Sequence, residues 1–357
     1  MLKNLTIILI LISLQCLSQT DSIPDTMVID TAATIKVAEN QEAELLYNQG
    51  LDFYSKGNYK EAIKMFSSAI DIKPNFEKAL LNRGAARTET REFNLAVADF
   101  NRALLINSKS GQAFFGKGYI AFFEEKYPLA LELFQEALKN GFANEKLFYY
   151  QGLILFKDDK FEESSQSFSE SLKLKPDNPF ALNDRGGAYR KLEQYDKAIA
   201  DYQKAIELKQ DFSLAYSNLG SVYRKKGELN KSINAYNKAL NLDPMDFLTF
   251  NNRGLAKFDT KDYKGAMEDF NKTISLKADY FLAYNNLGAC LMKTGEYKKA
   301  FEAFSKSLEL NPSYAQAYLN RGCASEMLRD IQQAVSDWDK AANAGLEQAN
   351  TYIQYYK

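Results

Sequence analysis

The sequence predicts an all-α chain built as a solenoid, a stack of similar helix pairs, on three observations. Gly50, Gly84, Gly118, Gly152, Gly186, Gly220, Gly254, Gly288 and Gly322 stand 34 residues apart, half of the 18 glycines on one spacing. With windows of 34 numbered from Ala43, each of these glycines is position 8. Position 24 is then aromatic nine times: Phe66, Phe100, Phe134, Phe168, Tyr202, Tyr236, Phe270, Phe304 and Trp338. Position 20 is always Ala or Ser, and position 27 always Ala, Ser or Thr. A fixed period of this length marks stacked repeats. Small or apolar residues at 4, 8 and 11, and again at 20, 24 and 27, trace two helix faces. Each window therefore predicts a helix A over about positions 1–14 and a helix B over about 18–30.

In chain order, residues 1–18 are read as an address. Leu5 to Leu14 is apolar but for Thr6 and Ser13. That run is shorter than the ~18 residues a membrane span needs and suits the core of a secretory signal peptide. Cys16 and Ser18 place small residues at −3 and −1 of a cut before Gln19. The expectation is an exported, periplasmic or secreted protein. A lipoprotein anchored through Cys16 fits less well, because Gln15 stands where Gly, Ala or Ser is wanted. Residues 19–42 carry Asp21, Asp25, Asp30, Glu39 and Glu42 against Lys36, and read as a polar, mildly acidic linker.

Nine windows follow without insertion: 43–76, 77–110, 111–144, 145–178, 179–212, 213–246, 247–280, 281–314 and 315–348. A glycine inside a helix costs about 0.5–1 kcal/mol relative to Ala. Nine such costs imply a gain elsewhere: Gly at 8 with small residues at 20 and 27 lets A and B approach closely, beside the ring at 24. One helix pair cannot bury this face, so neighbours must stack. Pro74, Pro176, Pro244 and Pro312 at position 32 separate B from the next A. Residues 349–357 begin one more helix A, with Tyr352 and Tyr355 at positions 4 and 7, and are expected to cap the last window.

These residues resemble the tetratricopeptide repeat (TPR) family over 43–348. The resemblance implies a right-handed α-solenoid whose A helices line an inner face and bind protein segments through positions 2, 5, 6, 9, 12 and 13. The family's carboxylate clamp for chaperone tails starts with Lys at position 5; no window has it, so that function does not carry over.

Three groups stand at the implied binding positions. Asn48, Asn82, Asn218, Asn252, Asn286 and Asn320 occupy position 6, and Asn183, Asn251 and Asn285 form a second row at position 5. An amide both donates and accepts, so Asn218, Asn252, Asn286 and Asn320 can clamp the backbone of an extended peptide, or else hydrogen-bond within the solenoid. On the first reading their joint loss weakens binding with little loss of stability. The third and fourth windows carry Phe115, Tyr119, Phe122, Phe123, Tyr149, Tyr150, Leu153 and Phe156 instead, an apolar patch suited to a partner or to self-association. Lys157, Arg190, Lys191, Arg224, Lys225 and Lys226 near the ends of the middle A helices either attract an acidic ligand or complement the helix dipole.

One pattern is structural. Position 7 is Arg only in Arg83, Arg185, Arg253 and Arg321, and the same four windows alone have Asp at position 23: Asp99, Asp201, Asp269 and Asp337. Chance gives that match about once in 126 arrangements, and paired variation suggests contact. A salt bridge between A and B is expected.

Composition narrows the function. Lys plus Arg is 45 and Asp plus Glu is 46, a net charge of −1, which argues against a nucleic-acid partner. There is no histidine, which removes Ser–His–Asp chemistry and His-ligated metal. No Gly-rich phosphate loop is present. No cofactor and no small-molecule substrate are expected. Cys290 and Cys323 fall on adjacent A helices, about 10 Å apart, beyond disulfide reach, and are expected to be free thiols. The reading is a non-catalytic scaffold for extended protein segments. The alternative is self-assembly through the aromatic face.

Overall fold

The computed structural model describes residues 31–356, which form nineteen helices and no strand. It divides into two compact units, up to Gly116 and from Lys117 onward. The first holds α1 (Thr31–Ser55), α2 (Tyr59–Ile72), α3 (Glu77–Glu89) and α4 (Phe93–Ile106); α5 (Gly111–Phe123) runs across the boundary. The second continues with α6 (Tyr127–Lys139), α7 (Glu145–Lys157), α8 (Phe161–Leu174), α9 (Pro179–Lys191), α10 (Tyr195–Leu208), α11 (Ser213–Lys225) and α12 (Leu229–Leu242). It ends with α13 (Phe247–Asp259), α14 (Tyr263–Leu276), α15 (Phe281–Lys293), α16 (Tyr297–Leu310), α17 (Ala315–Met327), α18 (Ile331–Asn343) and α19 (Gln348–Tyr356). Odd-numbered helices are the A helices and even-numbered ones the B helices, so the architecture is an all-α solenoid of helix-turn-helix repeats.

The rings at position 24 form the core. Phe66, Phe100, Phe134, Phe168, Tyr202, Tyr236, Phe270, Phe304 and Trp338 are all buried. Each lies against the glycine at position 8 of its own pair. A methyl group on Gly254 would stand 2.7 Å from Phe270 Cε1, and one on Gly186 2.9 Å from Tyr202 Cε1, too close for any carbon pair. The close approach shows again where position 20 is Ser: the Ser164 and Ser232 hydroxyls donate to the carbonyls of Gly152 and Gly220, each at 2.8 Å.

The A-to-B turn has a feature that the sequence pattern hides. Position 15 takes a left-handed backbone conformation. Gly57, Gly227 and Gly295 supply it without cost, but Arg91, Glu125, Asp159, Glu193, Lys261 and Arg329 hold φ between 57° and 66°. The next amides fold back to close the helix, as Asp262 N–H does on the Lys257 carbonyl at 2.9 Å.

The expected Arg–Asp bridges are all present and two-pronged. Arg83 meets Asp99 at 3.0 and 2.7 Å, and Arg185 meets Asp201 at 2.7 and 2.7 Å. Arg253 meets Asp269 at 2.9 and 2.6 Å, and Arg321 meets Asp337 at 2.8 and 2.8 Å. Each guanidinium also donates backward into the preceding B helix, to Ser67, Ser169, Asn237 and Ser305. One side chain thus ties three helices.

Two expectations are corrected at the ends. The linker reading of 19–42 gives way over 31–42, which is the start of α1; residues 36–42 contain neither Gly nor Pro, so nothing stops the helix. At the C-terminus, α19 packs on α18 through Tyr352 but not through Tyr355. Ala349 and Ile353 are buried, Tyr352 and Tyr356 stack on Trp338 at 5.2 and 5.8 Å, and Tyr355 is 82% exposed. Ala349, Tyr352, Ile353 and Tyr356 stand at positions 1, 4, 5 and 8, so the helix keeps the repeat register, and Tyr355 at position 7 faces outward. The address at 1–18, with Cys16, and residues 19–30 lie outside the described residues. Among those described, no helix is long and apolar enough to cross a membrane.

Candidate interaction surface

The second unit presents five consecutive A helices, α9, α11, α13, α15 and α17, in one register. The position-6 asparagines are not a row of free amides. Asn218 donates to Asn183 Oδ1 at 2.9 Å, Asn286 to Asn251 Oδ1 at 3.0 Å, and Asn320 to Asn285 Oδ1 at 2.8 Å. Each bond joins position 6 of one helix to position 5 of the previous A helix, 35 residues back. The acceptors Asn183, Asn251 and Asn285 are buried, the donors half-buried. Three of the four ladder amides thus spend their N–H on the solenoid and keep part of their acceptor capacity.

Asn252 is the exception. Its partner position is Ser217, whose hydroxyl instead pairs with Thr249 at 2.6 Å. Among the described residues, the Asn252 side chain makes no hydrogen bond of this kind. In the first unit the same offset joins Asn82 to the Tyr47 hydroxyl at 3.1 Å, and Asn48 lies in α1.

At α9 the ladder is broken by an acid. Asp184 accepts from the Tyr149 hydroxyl at 2.8 Å and from Asn183 Nδ2 at 3.0 Å. No cation pairs with it among the described ion pairs. Burial raises the Asp184 pKa above the usual carboxylate range, against the two hydrogen bonds. Burial, with the Asp184 charge beside it, also raises that of Tyr149.

The aromatic group between α5 and α7 packs mainly upon itself. Tyr119 and Phe122 lie 4.8 and 4.7 Å from Tyr150, ring centre to ring centre, and Tyr149 lies 5.5 Å from Tyr150. Tyr150 donates to the Tyr119 hydroxyl at 3.3 Å. Phe115, Tyr119, Phe122, Tyr149, Tyr150, Leu153 and Phe156 are half-buried; only Phe123, at 43%, is exposed. The basic group is partly committed too. Arg224 pairs with Asp259 at 2.6 Å, Lys226 pairs with Asp196, and Lys157 donates to the Tyr127 hydroxyl. Arg190 has no carboxylate partner among the described residues.

A fourth feature completes this face. Position 2 is Phe180, Leu214, Leu248 and Leu282 in four consecutive A helices, and Phe180, Leu214 and Leu248 are 51%, 54% and 47% exposed. The earlier A helices have Glu44, Lys78, Gln112 and Lys146 there. Tabulating position 2 across the windows would have found the row; it escaped notice because single apolar residues at the start of a helix attract none. Beside it, Tyr149, Tyr150 and Phe180 line a cleft of about 200 Å³ rimmed by Lys146 and Lys175. Cys290 and Cys323 are free thiols, and burial raises both above the ordinary thiol value, that of Cys290 to about 12.

No protein of curated function matches the chain. Among solved structures, the Pseudomonas aeruginosa pilF protein matches with a TM-score of 0.54 at 17% identity, over 60% of this chain and 97% of its own. The Cut9–Hcn1 hetero-tetramer of APC/C matches at 0.53 and 16%, over 87% of this chain and 75% of that one. YrrB, described as a TPR protein with an unusual peptide-binding site, matches at 0.48 and 23%, over 52% and 95%. The models of the tetratricopeptide repeat match residues 50–90, 81–145 and 115–179, then 186–227, 220–261, 249–280 and 281–314. With well over half its length matched in the register that its glycines set, the chain belongs to the tetratricopeptide repeat family, whose solenoids are typically protein-interaction scaffolds and generally non-catalytic.

Proposed function

We propose that the chain is a non-catalytic scaffold that holds an extended segment of another protein along the A-helix face of α9 to α17. The observation that carries this reading is the exposed row Phe180, Leu214 and Leu248, one large apolar side chain per A helix, beside the amides of Asn218, Asn252, Asn286 and Asn320. Contiguous exposed apolar surface on a soluble protein marks an interaction site. Stacked helices lie about 8–10 Å apart and an extended chain advances about 3.3 Å per residue. The partner therefore offers an apolar residue about every third position.

A random peptide library displayed against the full chain tests this. Selected peptides should show that spacing. The triple change Phe180→Gln, Leu214→Gln, Leu248→Gln should weaken them at least about tenfold, as loss of three buried contacts implies, and leave the unfolding midpoint within a few degrees. Selected peptides that bind the triple variant unchanged refute the groove. The alternative, self-association through the cluster around Phe123, requires a mass that falls on dilution in light scattering. Export through the apolar run Leu5–Leu14 belongs to the same reading; cell fractionation that finds the chain in the cytoplasm overturns it.

A further inference from the structure

We propose that the groove contains a carboxylate-binding subsite on α9, made by Arg190 with the Tyr202 hydroxyl over the floor left by Gly187, which takes an Asp or Glu side chain of the bound segment. The inference rests on the peptide-groove reading above and adds a specificity to it.

Four observations converge. First, Gly187 has no packing reason to be glycine. A methyl there would meet Phe156 at 3.6 Å and the Tyr202 hydroxyl oxygen at 3.9 Å, ordinary contact distances. Its neighbour Gly186 is pressed against Tyr202. A second mid-helix glycine thus weakens α9 and leaves a gap the size of a methyl group between Phe156 and the Tyr202 hydroxyl. Second, Tyr202 is fully buried and its hydroxyl proton finds no acceptor among the described residues. Third, Arg190 Nε is also buried and without one. Arg190 lies close enough for its charge and a side-chain hydrogen bond to act on Tyr202. The Arg190 Nε–H and the Tyr202 O–H are left without an acceptor, and a carboxylate is the acceptor that suits both.

Fourth, the charge pattern at this point of the groove is unbalanced. Arg224, one A helix further on, occupies the same window position as Arg190 and is neutralised by Asp259, 35 residues ahead. The residue 35 ahead of Arg190 is Lys225. An acid in one pair is thus replaced by a second cation in the other. The nearest acids are engaged elsewhere: Asp201 by Arg185, Asp184 by Tyr149 and Asn183. Burial holds the Tyr202 hydroxyl at about 12, so it stays a donor at neutral pH.

The test is a positional-scanning peptide library on the full chain and on Arg190→Gln, Tyr202→Phe and Gly187→Leu. Phe already occupies position 24 in six windows, so Tyr202→Phe keeps the fold. Wild type should enrich Asp and Glu over Asn and Gln at least about tenfold at one library position, as a charge-assisted contact implies. Arg190→Gln and Gly187→Leu should bring that preference below about twofold, and Tyr202→Phe should reduce it in part. The apolar selection opposite Phe180, Leu214 and Leu248 should survive all three. Apolar selection without an acid preference, or an acid preference that survives Arg190→Gln, overturns the subsite and leaves the groove standing. No selection of any kind by wild type overturns both.

Discussion

Single residues carry the sharpest tests. Lys261 is exposed and holds a left-handed φ of 66°. Non-glycine residues pay roughly 1–2 kcal/mol there, so Lys261→Gly should raise stability by about 0.5–1 kcal/mol after its own entropy cost. Thermal unfolding reads this, with Lys261→Ala as the control that should gain nothing. The Arg–Asp bridges differ in how exclusive they are. Asp269 also meets Lys257 at 2.9 Å, whereas Asp337 is fully buried with Arg321 as its cation. Arg321→Leu should therefore cost about 3–5 kcal/mol by stranding a buried charge, and Arg253→Leu distinctly less. Adding Asp337→Leu should return part of the loss in urea titrations; strict additivity would mean that the pair is uncoupled. Asp184 gives a pH signature. Its folded pKa is raised, so the folded state binds its proton more tightly than the unfolded state does. Its contribution to stability therefore falls as pH rises from the ordinary carboxylate value through the raised one. The neutral amide that Asp184→Asn introduces could donate to the Tyr149 hydroxyl, as Asn82 does to that of Tyr47. The substitution should thus stabilise at pH 7, and the advantage should vanish near pH ~4; an advantage that grows on acidification would show the sign to be wrong.

The helices themselves were largely legible. Glycine, small residue and ring at fixed positions gave the boundaries of α9 and α10 to within a residue, because each marks a contact that admits few substitutes. Gly254→Ala should accordingly cost about 1–3 kcal/mol, since the added methyl overlaps the Phe270 ring and overpacking outweighs helix propensity. The left-handed position 15 was not legible, because most of its occupants are ordinary residues held there by the rest of the turn. The asparagine rows were legible as rows but not as partners. Window arithmetic compares residues 34 apart, while the bonds run between residues 35 apart, so donor and acceptor fall in different columns. This sets a contrast between elements that look alike. Asn320→Ala, in α17, removes a bond and strands the buried Asn285; about 1–3 kcal/mol should be lost. Asn252→Ala, in α13, should be neutral or slightly stabilising. Equal effects in chemical denaturation would refute the offset pairing. The joint loss of all four asparagines is thus expected to cost stability as well as binding.

Across the whole chain, the family follows from period and composition, whereas the selectivity proposed for the A-helix face rests on departures from the period. Phe180, Gly187, Arg190 and Asp184 are each unlike the corresponding residues of most windows, and a repeat consensus averages such residues away. The 35-residue offset has a genetic consequence as well. When a segment of 34 residues is duplicated, the new copy's position 6 meets position 5 of its own original. A segment survives duplication when its two residues suit each other. Residues 247–280 carry Asn251 and Asn252, and 281–314 carry Asn285 and Asn286, so a tandem copy of either regenerates the amide pair at the new junction. Residues 145–178 carry Tyr149 and Tyr150, and a copy would set a second bulky phenol against Tyr149 where Asp184 now accepts its hydrogen bond. A gene with 247–280 doubled should yield a longer, cooperatively folding chain, and one with 145–178 doubled should fold poorly, as circular dichroism and thermal melts would show. The solenoid can thus lengthen at its C-terminal asparagine-rich stretch and resists lengthening at its aromatic middle.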